Sequence, residues 1–566
     1  MLTVDEAIQK NETAGVKVEI ESVSTNASTN TAINEPKPRL KGWRLRFLTV
    51  GLAIAVFLAS LDSIIVSTSL TAIAKDLQNW DKSSWVVSSY LTTYFSFLII
   101  WAKVSDLVGR KLMLMIALVM FLAFSGACGG AQTILQLCDQ SRCKKSLLTL
   151  YRIILRALQG IGGAGLFSMV PIITAEMVRP DQYASYNAVM ALSIALSFLL
   201  GPLIGGGIVD HTTWRWIFYI NLPLGVVSMI LIWLSMPCAF PDLSHPTSLW
   251  NVPKKMILHG RVDYLGFGLL LAASLFLIVA IEEAAILYTW DNAVVVTLLA
   301  LCFPVFCAFL CWVWFLELRH STREPVFPWR FAKNRVFTGL CLICLLSGVP
   351  LTTLILDLPS RFQILNNTSA LDSGTRILPL TLTIAVSSAL AGGITARRRV
   401  PPIYVFALSA VLQTVGLGLL YSVPADNPLG AKIYGYQTLI GTGVGLCLAT
   451  AILMVPSLVD EKDLSAALGS ITQVRVLGGA VGVSVATNLL NHSVQSHLLG
   501  QVAPDVLHNI MKNVSSIADL PQPTQLLIRQ AFADGYERQV LLVLGFCAAE
   551  VLAVGLMWER PLRRLV

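Results

Sequence analysis

Long apolar stretches recur along the whole chain and are separated by shorter polar or basic segments. About 20 apolar residues, at a rise of roughly 1.5 Å per residue, cross the ~30 Å hydrocarbon core of a bilayer. Fourteen stretches meet this requirement and predict an all-α integral membrane protein. They lie at 47–70, 84–104, 113–131, 149–177, 185–208, 214–236, 264–285, 293–317, 336–358, 373–395, 403–421, 433–458, 464–490 and 540–558.

Composition and charge support this topology. Of the 566 residues, 55% are hydrophobic and 13% are charged, whereas soluble domains carry roughly 25% charged residues. Most of the 41 Lys and Arg residues fall on segments that are cytoplasmic if both chain ends lie inside, as the positive-inside rule favours. The net charge of +8 therefore reflects topology, and we expect a lipid bilayer as partner and no nucleic acid.

Loop lengths divide the spans into groups of six, two and six. Basic loops at 237–262 and 318–335 flank the two middle spans, which predicts two six-helix bundles with an inserted two-helix hairpin. The first 46 residues are polar and predict a disordered cytoplasmic tail. The expected divisions are a tail at 1–46, an N-terminal bundle at 47–236, linker loops and hairpin at 237–335, a C-terminal bundle at 336–560 that includes an outside loop at 491–539, and a cytoplasmic tail at 561–566.

Two ionisable residues within the predicted spans are candidates for function. A charged group in the membrane costs about 2.5–3.5 kcal/mol on insertion scales and is therefore a functional candidate by default. Asp62 in the first span and Arg156 in the fourth lie at similar depths, roughly 10–12 Å from the outer helix ends. They could bind and release a proton or contact a substrate; the alternative is a static ion pair that holds two helices together.

Other polar residues within the spans leave alternatives open. Asp357 and Arg376 lie near the outer ends of neighbouring spans and predict an outer gate or surface pair. Arg475 lies near mid-membrane, where it could attract an anionic group in a wet cavity or bond to helix carbonyls. Gln159 and Gln473 are candidates for the substrate cavity and, equally, for hydrogen bonds between helices.

The tight loop between the second and third spans predicts a cytoplasmic gate. Gly109 permits a left-handed backbone there, and Asp106 can accept hydrogen bonds from a helix N-terminus or pair with an arginine. Arg110 and Lys111 complete this candidate gate.

The fifth span carries a small residue at every fourth position, at Ser193, Ser197, Gly201 and Gly205. Such a strip lets a neighbouring helix approach closely in lipid. Pro202 removes a backbone donor and is expected to bend the helix. Together with Gly206, these residues predict a packed, bent membrane helix with a mechanical role.

The sequence contains two candidate glycosylation sites and one candidate disulfide, and its cysteines and histidines do not suggest a metal site. Asn513 and Asn366 begin glycosylation sequons on predicted outside segments. Cys138 and Cys143 share an outside loop, where a disulfide is one alternative. The remaining cysteines and the seven histidines are scattered, so we expect no metal site, no cofactor other than a transmembrane proton gradient, and no enzymatic activity.

Four motifs in order resemble the major facilitator superfamily, specifically its fourteen-spanner drug:proton antiporter family. The loop is similar to the family pattern G-x-L-a-D-r-x-G-r-k, with Ala102 and Leu107 departing from it. The other three motifs are Leu61-Asp62 in span one, Arg156 to Gly162 in span four, and Gly201-Pro202 with Gly205-Gly206 in span five. Trp214 to Pro223 is similar to a run of the fourteen-spanner branch, and Leu358 to Gln363 resembles fungal members associated with toxin and secondary-metabolite export.

The resemblance implies proton-coupled efflux of amphipathic organic compounds by alternating access. It implies coupling through Asp62 and Arg156, and it fits a monomer in the plasma membrane, with a vacuolar or vesicle membrane as the alternative. The alternatives in function are a proton-coupled importer or siderophore transporter on the same fold, and a substrate sensor that does not transport.

Overall fold

The computed structural model describes residues 40–68, 80–130, 143–237, 240, 263–286, 290–319, 325–397, 400–423, 430–503, 506–507 and 520–563. Fourteen helical segments are long and apolar enough to cross a membrane, and two of them, Trp216–Ser235 and Leu378–Thr395, join a 15-residue helix to a short neighbouring one. The main helices of these segments are numbered in chain order. They are α1 (Trp43–Thr68), α2 (Trp80–Val108), α3 (Arg110–Gly130), α4 (Cys143–Met177), α5 (Pro180–His211), α6 (Asn221–Ser235), α7 (Tyr264–Ile286), α8 (Ala293–Leu318), α9 (Arg335–Asn366), α10 (Leu378–Gly392), α11 (Pro402–Tyr421), α12 (Lys432–Met454), α13 (Leu464–Leu498) and α14 (Gln522–Leu556). The predicted all-α membrane fold is confirmed.

The first six helices pack mainly against one another. Helix α4 contacts α2 and α3, and α1 contacts α5 and α6. Gly162 shows why small residues are needed in these contacts, because a Cβ atom there would lie 2.7 Å from the backbone nitrogen of Phe121 on α3. In lipid there is no hydrophobic driving force that brings helices together, so their association depends on van der Waals packing. The close approach of the two backbones provides that packing.

The last six helices form a second set of contacts. Helix α9 packs against α13 and α14, and α12 packs against α10 and α11. At the α9–α13 contact, a Cβ atom on Gly478 would collide with the carbonyl oxygen of Leu345. Glycines that face the backbone of a neighbouring helix therefore set the helix spacing in both groups.

The two groups meet mainly along two helix pairs, α5 with α10 and α2 with α13. The middle helices α7 and α8 pack on each other, and α7 also contacts α2 and α13. The inserted hairpin thus lies against one of the two seams between the bundles.

The outer end differs from the expectation of a loose outside loop at 491–539. Helix α13 continues to Leu498 and α14 already begins at Gln522. Apolar residues explain these extensions, because Val494 and Leu498 of α13 are buried in one cluster with Ile528 and Phe532 of α14. The sequence analysis did not predict this contact between α13 and α14, because the segment is polar in overall composition.

Candidate functional site

Asp62 of α1 and Arg156 of α4 form a buried ion pair. The Arg156 Nη1 atom lies 2.7 Å from Asp62 Oδ2, and the two side chains are 0% and 1% exposed. Charges buried in this way persist only where good geometry and further hydrogen bonds compensate for lost hydration.

Two amides supply the further hydrogen bonds to the carboxylate. Gln159 donates from Nε2 and Asn221 donates from Nδ2, each 3.0 Å from Asp62 Oδ1. Arg156 also donates to Gln159 Oε1 at 2.9 Å, and Asn221 donates to Ser125 Oγ at 3.1 Å. Gln159 therefore belongs to the ion-pair network, where it bonds to another helix.

Aromatic rings enclose the guanidinium group of Arg156. Its Cζ atom lies 4.4 Å from the ring centre of Tyr90 and 5.4 Å from that of Phe218, distances at which a cation is attracted to an aromatic face. Tyr90 stacks on Tyr94 of the next helical turn, with ring centres 5.7 Å apart. Tyr94 in turn lines the cavity described next.

A cavity of about 310 Å³ lies between the two bundles. Its wall is mostly apolar and includes the aromatic side chains of Tyr94, Phe95, Phe167 and Phe198. Polar groups are few, and among them are Ser60 and Ser63, which flank Asp62 on α1, together with Thr352, Thr381, Ser484 and Arg475. A largely apolar wall with a few polar groups is typical of a small-molecule site.

Of the three candidate cavity residues, only Arg475 lines this cavity. Its side chain is 8% exposed, and within the described part of the chain it makes no ion pair or hydrogen bond. Gln473, two residues earlier, donates instead to Ser274 Oγ on α7 at 3.4 Å. Gln473 thus makes the hydrogen bond between helices that was the alternative to a cavity role, because its side chain points toward the inserted hairpin.

The loop between α2 and α3 connects the two bundles at the predicted cytoplasmic end. Gly109 has a left-handed backbone with φ of 112°, which lets α3 start one residue after α2 ends. Asp106 forms an ion pair with Arg110 and accepts a hydrogen bond from Ser465 of α13. This bond joins the N-terminal and C-terminal bundles.

Arg110 and Lys111 secure the same loop inside the N-terminal bundle. Arg110 binds Glu176 at the end of α4 through two nitrogens, at 2.7 Å from Nη2 and 3.0 Å from Nε. Lys111 donates to the carbonyl oxygens of Trp233 and Met236 at the end of α6. Arg110 and Lys111 thus hold the start of α3 to the ends of α4 and α6.

The glycine–proline cluster of α5 packs against α1. A Cβ atom on Gly201 would lie 2.9 Å from Ile64 Cγ2, two residues from Asp62, whereas Gly207 faces open space. Gly205 is buried and Gly206 is partly buried on the same helix. The helix continues through Pro202 to His211.

The predicted pair of Asp357 and Arg376 does not form. Arg376 binds Asp372 one turn earlier, at 2.9 Å, and donates to the Tyr434 hydroxyl at 2.8 Å. Asp357 lines a small crevice against α14 that it shares with Tyr536, and its Oδ2 atom has no hydrogen-bond partner. The two residues have similar depths but face different helices, which helix depth alone does not show.

Of the predicted glycosylation sites, Asn366 ends α9 and is partly exposed. Asn513 lies outside the described residues, as does Cys138 of the candidate disulfide.

Several residues of these networks had no clear signal in the sequence. Asn221 and Ser125 are common polar residues in apolar runs, and Glu176 lies at a helix end where exposure is expected. Glu550 of α14 is fully buried and accepts a hydrogen bond from Gln413 of α11 at 3.4 Å. Its position within an apolar span is the signal that could have found it.

Comparison with known proteins agrees with this architecture. The family model described as Major Facilitator Superfamily matches residues 52–483. The "MFS-type transporter FPY5" of Fusarium mangiferae is 36% identical over 99% of this chain and 92% of its own length. The "MFS-type efflux pump MFS1" of Arthroderma benhamiae is 28% identical over 94% of this chain and 96% of its own length.

A solved structure shows the same fold at low sequence similarity. The structure of a bacterial homologue of the human lysosomal transporter Spinster has a TM-score of 0.58 and 10% identity, covering 92% of this chain and 100% of that one. The family match extends over most of the fourteen-helix region, and the chain therefore belongs to the major facilitator superfamily of membrane transporters.

Proposed function

We propose that this chain exports amphipathic organic compounds in exchange for protons, as a monomer that alternates access between two sides of the plasma membrane. The observation that carries the proposal is the buried Asp62–Arg156 pair beside the cavity between the bundles. Asp62 is the residue to which the proposal assigns proton binding.

Proton binding at Asp62 would change the contacts of Arg156 and, through them, the wall of the cavity. A proton on the carboxylate removes the charge that attracts Arg156, while both amide donors stay in place. Arg156 also contacts the Tyr90 ring, which stacks on the cavity residue Tyr94. A change in charge at Asp62 is therefore transmitted to the cavity wall through two ring contacts.

Alternating access requires contacts that break when the bundles rock. The predicted cytoplasmic end is closed by Ser465 on Asp106, by Gly469 against Ala102, and by Gly392 against Ala184. The cavity lies farther along the helices toward the opposite end. One hydrogen bond and two contacts between small residues are therefore the contacts that the proposal has separating when this end opens.

Two further observations support the direction and the substrate class. A relative over nearly the full chain is named an efflux pump, which favours export. The cavity wall is mostly apolar and aromatic, and such walls bind compounds with a large apolar surface.

A reconstitution experiment tests proton coupling. The chain is placed in lipid vesicles with an imposed pH gradient and one of three dyes: cationic rhodamine 6G, neutral Nile red or anionic 1-pyrenebutyrate. We expect uphill transport of at least one dye that stops when an uncoupler is added. Asp62→Asn should reduce it about tenfold or more, the effect of ~1.4 kcal/mol, whereas Asp372→Asn, which removes a half-exposed carboxylate, should not. Equal transport by Asp62→Asn and the wild type would contradict the proposal.

Direction is tested in yeast cells that lack their own efflux pumps. Export predicts that cells expressing the chain retain less of the transported dye than cells with the empty vector. A higher retention would identify an importer, and unchanged retention together with intact dye binding would identify a sensor.

A further inference from the structure

Arg475 places a positive charge on the wall of the central cavity. It lies in the first half of α13 and lines the cavity together with Val476 and Ala480 of the same helix. The side chain is 8% exposed, so most of its surface contacts protein and its remaining surface faces the cavity.

The charge of Arg475 is not balanced within the described part of the chain. Arg156 pairs with Asp62, Arg110 with Asp106 and Glu176, and Arg376 with Asp372. No carboxylate of the described residues lies within ion-pair distance of Arg475, and none of them accepts a hydrogen bond from it. A buried cation without a partner is costly, so an anion that enters the cavity gains a charge-assisted hydrogen bond there.

The surroundings of Arg475 define the rest of such a ligand. Tyr94, Phe167 and Phe198 provide aromatic surface, while Thr352 and Ser484 provide hydroxyl groups. A guanidinium group presents planar paired donors that match a carboxylate. The cavity therefore combines one site for an acid group with a wall for an aromatic body.

We propose that the cavity selects aromatic organic acids, with Arg475 binding the substrate carboxylate. This proposal rests on the proposed function and specifies its substrate class. Arg475 is then a specificity residue, and neutral compounds of the same shape bind the aromatic wall without the ionic contact.

A matched pair of probes tests the proposal by binding alone. The full chain in phosphatidylcholine nanodiscs, which contain no anionic lipid, is titrated with 1-pyrenebutyrate and with its neutral amide at pH 7.5. Empty nanodiscs correct for partition into lipid. The variants are Arg475→Gln, which removes the charge, Arg475→Lys, which keeps it, and Arg319→Gln, which removes an arginine that is exposed at the end of α8.

We expect the wild type and Arg319→Gln to bind the acid at least about tenfold more tightly than the amide, as a charge-assisted hydrogen bond predicts. Arg475→Gln should bring the two affinities together without weakening amide binding, and Arg475→Lys should keep part of the preference. Equal binding of acid and amide by the wild type, no binding of the acid, or an unchanged preference in Arg475→Gln would overturn the proposal.

If Arg475→Gln does not fold, the wild-type comparison and Arg475→Lys still decide the question. The assay contains no pH gradient, so its result does not depend on proton coupling. Selective acid binding combined with transport that ignores the pH gradient would reject the proposed antiport and keep the acid site. Transport of rhodamine 6G or Nile red that is coupled to the pH gradient, combined with equal binding of acid and amide, would keep the proposed antiport and reject the acid site.

Discussion

At the scale of single residues, the N-terminal bundle compensates its buried charges through several neighbouring side chains. Asp62 contacts one guanidinium and two amides, while two aromatic rings cover Arg156. The same carboxylate can lose its charge without losing its amide donors. The proposed proton exchange at Asp62 depends on this arrangement, because the amide bonds would hold the carboxyl group in place when it is neutral.

Glu550 is a buried carboxylate with fewer hydrogen-bond partners than Asp62, and this difference leads to a prediction about stability. It is fully buried, its Oε1 accepts from Gln413, and its Oε2 has no partner. We expect Glu550→Gln to unfold at the wild-type temperature or above, because the glutamine keeps the acceptor and removes the cost of a buried carboxylate. Glu550→Ala should lose about 1–3 kcal/mol, because Gln413 loses one of its two side-chain acceptors and a cavity replaces the buried side chain.

Thermal unfolding in detergent measures both Glu550 variants. A glutamine variant that is as unstable as the alanine variant would show that the acid itself holds the helices together.

The residue scale also shows what a sequence can predict. Equal depth correctly suggested that Asp62 and Arg156 could meet, yet the same reasoning wrongly paired Asp357 with Arg376. Distance from a helix end gives one coordinate of a side chain, and the direction it faces depends on helix packing. The family resemblance placed both residues of the first pair in motifs and had no motif for the second pair.

At the scale of elements, small residues set the distances between helices. Gly201 brings α5 against Ile64 of α1, and Asp62 lies on the same turn of α1. The sequence predicted the packed strip from its spacing of four residues. It did not predict the partner helix, because a strip of small residues accepts any neighbour of suitable shape.

Two glycines of α5 give a matched test of this contact. Gly201→Ala should lower the free energy of unfolding by about 1–3 kcal/mol, because the added methyl group overlaps Ile64. Gly207→Ala should be neutral or gain up to about 1 kcal/mol, since alanine favours the helix and meets no atom there. Denaturation in detergent measures both, and similar losses would show that the α1 contact is not what requires a glycine.

At the scale of the whole molecule, the bundles meet through a hydrogen bond between residues far apart in sequence. Ser465 donates to Asp106 across 359 positions of the chain. The sequence suggested a gate from Asp106 and Gly109 but held no signal for Ser465, an ordinary serine at the start of a span. Long-range partners of this kind follow from the assembled fold.

Ser465→Ala tests whether this contact holds the cytoplasmic end closed. Loss of one hydrogen bond of about 0.5–1.5 kcal/mol should lower the ratio of closed to open molecules roughly two- to tenfold. Spin labels at Arg179 and Lys462, attached through an unnatural amino acid because the chain has 11 cysteines, report the distance across this end.

Ser496→Ala is the matched control, because Ser496 bonds only within its own helix, to the carbonyl oxygen of Ser493. Its distance distribution should equal that of the wild type. An unchanged distribution in Ser465→Ala would show that apolar packing of Gly469 on Ala102 closes the end without the hydrogen bond.

The proposed antiport exchanges substrate and proton through Asp62. The most direct measurement records protons released into weakly buffered detergent solution when the wild type binds the dye that it transports fastest. We expect proton release to accompany dye binding in the wild type and to disappear in Asp62→Asn, which should still bind the dye. Proton release from Asp62→Asn equal to that of the wild type would contradict it.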